Sequence, residues 1–75
     1  MVEQEFNTKV FAERLMELRN ERGLATRELS KMLGFGEAMV SVWETEKSIP
    51  LASAIYKLAK FFGVSADYLL GLKDS

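Results

Sequence analysis

The sequence predicts an all-α fold, a compact bundle of five short helices, and three observations predict it. Apolar residues recur every three or four positions in five successive segments. Glycine, proline and small polar residues stand between those segments. The links are only a few residues long, as connections within a small helical domain are.

Residues 1–8, MVEQEFNT, read as a polar N-terminal tail without periodicity, with Phe6 able to fold back on the domain. From Lys9 to Arg22, Phe11, Leu15 and Leu18 form one apolar stripe, with Glu13, Arg14, Glu17 and Arg19 on the other sides. Asn7 or Thr8 can cap this helix, and Gly23 suits a left-handed exit.

A second helix is expected over Thr26–Leu33, built on Leu29 and Leu33. Ala25, just before it, has no side-chain acceptor, so a cap worth about 1 kcal/mol is missing unless Thr26 supplies one. Gly34, Phe35 and Gly36 then permit a sharp reversal with an aromatic in the corner. The third helix is expected from Glu37 to Glu44 or Thr45, with Gly36 as its cap, Glu37 in its first turn, and Val40 and Trp43 facing inward. If these two helices cross at a steep angle, the outer face of the second one projects into solvent.

Glu46 stands where a helix exit favours positive φ, which implies strain there or a different exit. Pro50 suits entry to a fourth helix, whose apolar face is Ala52, Ile55, Leu58, Ala59 and Phe62, ending at Gly63. Ser65 can cap a last helix, Ala66–Leu70, closed by Gly71, and residues 73–75 read as a C-terminal tail.

The 75 residues suffice for one small domain, and a chain of this size buries only about 60% of its unfolded surface. Association or ligand binding therefore adds noticeably to the stability of such a domain. With 48% hydrophobic and 28% charged residues the balance is that of a folded domain. Neither cysteine nor histidine is present, which removes disulfides, thiolate and imidazole metal ligands and the usual neutral-pH acid-base group. No apolar run long enough to cross a membrane and no secretion leader appears, so a cytoplasmic location is expected. Ten basic and eleven acidic residues give a net charge of -1, leaving any basic face to local arrangement.

Several pairs and runs carry a resemblance: Gly23-Leu24, Glu28-Leu29, Leu33-Gly34, Val40-Ser41, Trp43-Glu44, Pro50, Leu58-Ala59-Lys60, Gly63-Val64-Ser65 and Asp67-Tyr68-Leu69-Leu70-Gly71. In this order and spacing they resemble the phage Cro/repressor-type helix-turn-helix domain, the XRE-like group, over about residues 9–72. The resemblance implies a lambda-repressor-like DNA-binding fold whose third helix enters the major groove. Carried over by position, the base-edge residues are Glu37, Ala38 and Val42, with Gly36 and Ser41 nearby. Thr26, Arg27, Lys47 and Ser48 are the phosphate-contact candidates, and Lys9, Arg14 and Arg19 lie farther off. The implied function is that of a sequence-specific double-stranded DNA-binding transcriptional regulator, a repressor acting as a homodimer, with no cofactor and no metal.

The reading positions depart from the group's usual Gln, Arg, Lys, Ser or Thr. No long donor stands there, which excludes the common bidentate contacts to guanine and adenine. What remains is Ala38 and Val42 against thymine methyls, Glu37 accepting from cytosine, and Ser41 donating to a phosphate or base. A bland reading stands beside it, in which Glu37 and Ser41 merely solvate an exposed face.

A second class of function is a protein-interaction module that keeps this scaffold and grips another regulator. The apolar residues Met39 and Val42 and the acidic Glu37, Glu44 and Glu46 favour it. For self-association, Tyr56, Phe61 and Tyr68 are further interface candidates, whereas Trp43 reads as core. An enzyme is the weakest class, since the chain has no phosphate-binding glycine loop and no evident carboxylate pair.

Overall fold

A computed structural model describes residues 6–74. Five helices follow one another: α1 (Thr8–Glu21), α2 (Thr26–Met32), α3 (Met39–Glu44), α4 (Ala52–Phe62) and α5 (Ala66–Leu70). α3 packs on α1 and α2, and α5 joins α1 to α4. The expected N-terminal tail lies outside the described residues over 1–5; Phe6 does fold back, its ring 6.1 Å from that of Phe11.

The helix ends follow from local chemistry. Asn7 caps α1, its Oδ1 accepting from the Val10 N–H at 3.1 Å, and Gly23 leaves in the left-handed region at φ 66°. Before α2 only half of a reciprocal cap forms: Glu28 Oε1 accepts from the Ala25 N–H at 2.8 Å, and Ala25 has nothing to return. Ser65 Oγ accepts from the Tyr68 N–H at 3.0 Å, as its place before α5 anticipates. Pro50 sits two residues before the first helical position, because Leu51 is the N-cap of α4 and Ala52 its first residue.

Two further differences concern α3 and α4. Residues 37 and 38 form a turn closed by the Met39 N–H donating to the Gly36 carbonyl at 3.0 Å, so α3 begins at Met39 with Ala38 as its cap. Gly36 opens that turn instead of capping the helix, and Glu37 stands ahead of the first helical turn. In α4, Ala54 is buried while Ala52, at the first position, is exposed on the rim of a cleft.

One core joins all five helices: Phe11, Leu15, Leu29, Val40, Trp43, Ala54, Ile55, Leu58, Phe62 and Leu69. Trp43 meets Phe35 edge-on at 5.0 Å and Phe11 at 6.5 Å, a geometry that aromatic quadrupoles favour. Arg14 fastens the middle of α1 to the C-terminal segment by donating to the carbonyls of Tyr68 and, at 2.7 Å, of Lys73, while its guanidinium lies 4.3 Å from the centre of the Tyr68 ring. Lys73, expected in a tail, is thereby held to the bundle; Ser75 is outside the described residues.

Glu46 adopts φ 62°, the left-handed region its position implied. An L side chain there costs about 1–2 kcal/mol. Part is offset by the Thr8 hydroxyl, which donates to Glu46 Oε1 at 3.1 Å. Glu46→Gly is therefore expected to stabilise the domain by about 0.5 kcal/mol after the added freedom of the unfolded glycine is subtracted. Thermal unfolding followed by circular dichroism reads this as a rise of a few degrees; a fall would mean that the Thr8 bond outweighs the backbone strain.

Candidate nucleic-acid interface

The elbow between α2 and α3 is fixed from inside. Gly34 turns the chain at φ 78°, a conformation that suits a residue without Cβ. Ser30, fully buried, holds both sides: its Oγ donates to the Thr26 carbonyl at 3.0 Å and accepts from the Val40 N–H at 3.0 Å. Its carbonyl also accepts from the Phe35 N–H at 2.8 Å. An unpaired amide in the same place would lose about 1–3 kcal/mol, so this one hydroxyl sets how α3 leaves the turn. Reading the sequence missed it, although a serine four residues after Thr26 is placed to bond back to that carbonyl.

The far end of α3 is tied to α1. Arg19 donates to both carboxylate oxygens of Glu44, at 2.7 and 2.8 Å, and to the Leu24 carbonyl at 2.8 Å. The two side chains are only 13% and 5% exposed. The hydrogen bonds Arg19 donates to Glu44 chiefly raise its pKa above the ordinary value; burial opposes this, and the Glu44 charge adds a smaller rise. This corrects the sequence reading of Glu44 as part of an acidic docking surface: its charge is spent inside the domain.

With both ends fixed, α3 turns Val40 and Trp43 inward. Gly36, Glu37, Ala38 and Ser41 are exposed and Val42 is half-buried. Arg27, on the first turn of α2, reaches across the elbow to Glu37, Nη2 to Oε2 at 3.1 Å, and both side chains remain more than half exposed. Lys47 comes next to the end of α3, its N–H donating to the Val42 carbonyl at 3.0 Å, and its side chain is exposed, as is that of Ser48. Thr26 is half-buried with its carbonyl engaged by Ser30.

The interface candidates divide. Met39 is half-buried and packs on the core with part of its side chain. Tyr56 is 65% exposed and lines an open cleft of about 560 Å³ with Phe6, Ile49, Pro50, Ile55 and Leu70. Phe61 is half-buried, with the Arg22 guanidinium 5.1 Å from its ring centre. Tyr68 is half-buried beneath Arg14. Among the described residues, no cluster of acidic side chains is placed to hold a metal, and no helix is long and apolar enough to cross a membrane.

The profile of the "Helix-turn-helix domain" family matches residues 12–75. The chain belongs to this family. As a helix-turn-helix domain of the XRE/Cro-repressor type it is similar to an uncharacterized HTH-type transcriptional regulator, YobD, of Bacillus subtilis (strain 168). The two are 31% identical over 65 residues, 87% of this chain and 58% of that one. It is also similar to the HTH-type transcriptional activator BcrR of Enterococcus faecalis, 33% identical over 80% of this chain and 29% of that one. This helix-turn-helix domain thus spans less than two thirds of the length of these relatives.

Among solved structures, the P22 c2 repressor in complex with a synthetic operator superposes with a TM-score of 0.75 at 30% identity, covering 81% of this chain and 92% of that one. A hypothetical transcription factor, NHTF, from Neisseria gives 0.77 at 27% identity over 93% and 86%. The all-α lambda-repressor-like fold with a central helix-turn-helix is the fold of this chain.

Proposed function

We propose that this domain binds double-stranded DNA sequence-specifically and regulates transcription in the cytoplasm, as a repressor that occupies an operator as a homodimer. The observation that carries the proposal is the outer side of the elbow: Glu37, Ala38 and Ser41 exposed, Val42 beside them, and the cations Arg27 and Lys47 at the two flanks. In this reading Ala38, Ser41, Val42 and Glu37 meet base edges and Gly36 allows close approach, while Thr26, Arg27, Lys47 and Ser48 meet phosphates. The likeness to a repressor bound to a synthetic operator supports it.

The second copy is assigned to the open cleft beside Tyr56, since the side chains of Ile49 and Tyr56 stand exposed there next to the α3–α4 connection. Two copies on a two-fold operator gain affinity by acting as one ligand. The rival reading, a module gripping another regulator, loses one support, since Glu44 is paired with Arg19.

Selection of bound duplexes from a random library at low salt tests the proposal. It is expected to enrich a two-fold symmetric site. On that site Lys47→Glu is expected to weaken binding about tenfold or more and to lower the salt slope by about one. Failure to bind any duplex at low salt would remove DNA binding from consideration.

A further inference from the structure

We infer that Glu37, braced by Arg27, selects cytosine at one position of each half-site, a specificity that rests on the DNA-binding reading above. The exposed side of the elbow offers little other chemistry. Ala38 and Val42 carry no polar atom, Gly36 has no side chain, and Ser41 has a hydroxyl that suits any base. Among the base-edge candidates Glu37 is therefore the one residue able to discriminate by hydrogen bonding.

Its geometry favours that role. Glu37 lies in the 36–39 turn, ahead of α3, where the closing bond from the Met39 N–H to the Gly36 carbonyl fixes its backbone. Its Oε2 is held 3.1 Å from Arg27 Nη2, and Oε1 has no partner among the described residues. A carboxylate only accepts hydrogen bonds. In the major groove guanine presents two acceptors, thymine an acceptor and a methyl, and adenine an acceptor beside its donor. Cytosine presents the N4 amino donor without an adjacent acceptor, so it is the base that does not repel a carboxylate.

A lone carboxylate close to phosphates would be repelled as well. Arg27 answers this by neutralising Glu37 from the protein side, and its remaining N–H groups stay available to a phosphate oxygen. The pair is exposed, and exposed pairs contribute little to folding, so the domain survives its removal. Arg27 is thus a positioning residue, acting on base choice through Glu37.

The test is duplex selection with the native domain, Glu37→Gln, Arg27→Ala and Arg27→Lys, each first shown to be folded by circular dichroism. The native domain is expected to fix cytosine at one position per half-site. Glu37→Gln is expected to move that position to adenine, which glutamine contacts through both N6 and N7, changing the cytosine-to-adenine ratio at least about tenfold. Arg27→Ala is expected to weaken the cytosine preference several-fold, and Arg27→Lys to restore part of it. In a Glu37→Gln background Arg27→Ala should leave base choice unchanged.

A native domain that binds defined duplexes with no position responding to Glu37→Gln would overturn the inference and leave DNA binding standing. An unaltered preference in Arg27→Ala would overturn the bracing role. A native domain that binds no duplex would remove both proposals together.

Discussion

Glu44→Ala is expected to destabilise the domain by about 3 kcal/mol, because it strands the Arg19 guanidinium where little water reaches it. A domain of this size has about 4–11 kcal/mol in total, so the loss is a large fraction of it. Thermal unfolding should report a fall of more than about 10 °C. Replacing both partners with apolar residues, Arg19→Met with Glu44→Leu, is expected to recover most of the loss, since no unpaired charge is left behind. A loss below about 1 kcal/mol for Glu44→Ala would place the pair with ordinary surface bridges.

The pH dependence has a definite sign. The Arg19 pKa is raised on folding, so its contribution is complete below the ordinary arginine range and is lost only as pH climbs through the raised value. Arg19 therefore introduces no pH dependence near neutrality.

Val42→Glu is expected to weaken binding to the selected duplex at least about 100-fold while shifting stability by less than about 1 kcal/mol. Val42 is half-buried but does not pack on the core, so the fold tolerates a longer side chain there. On docking, however, the new carboxylate would lose water among phosphates without a cation to meet it. Fluorescence anisotropy at low salt, with circular dichroism on the same sample, separates the two effects. Binding within threefold of the native domain would show that Val42 does not enter the groove. Should the outer side of α3 instead grip a protein, Val42→Glu would abolish that complex and Lys47→Glu would leave it nearly intact.

Periodicity made the five helices and most of the core legible, because burial repeats along the chain. Phe11, Leu15, Leu29, Val40, Trp43, Leu58 and Leu69 announce themselves by spacing. At Glu46 the sequence left strain or a different exit open, and the left-handed backbone at φ 62° decides for the first. What escaped depends on distance in space. Arg19 and Glu44 are 25 residues apart, each looks like solvated surface along its own helix, and only packing of α1 on α3 brings them together. Ser30 escaped because a small hydroxyl beside Leu29 gives no amphipathic signal; its role follows from where Val40 arrives.

At the elbow, the outer residues were named from position, but their pairing was not. Glu37 was expected inside the first helical turn, and the turn that actually holds it places its carboxylate against Arg27. Side-chain partners across a turn depend on a few degrees of backbone rotation, which propensity does not determine.

Ser30 also constrains how such an elbow can adapt. Its hydroxyl donates within α2 and accepts from the Val40 N–H of α3, so a pivot of α3 on α2 breaks that second bond. A protein with this fixed angle cannot follow a groove of another shape. If the domain binds DNA as proposed, the accommodation falls to the duplex, and sequences that bend or narrow cheaply at positions the protein never touches gain an advantage.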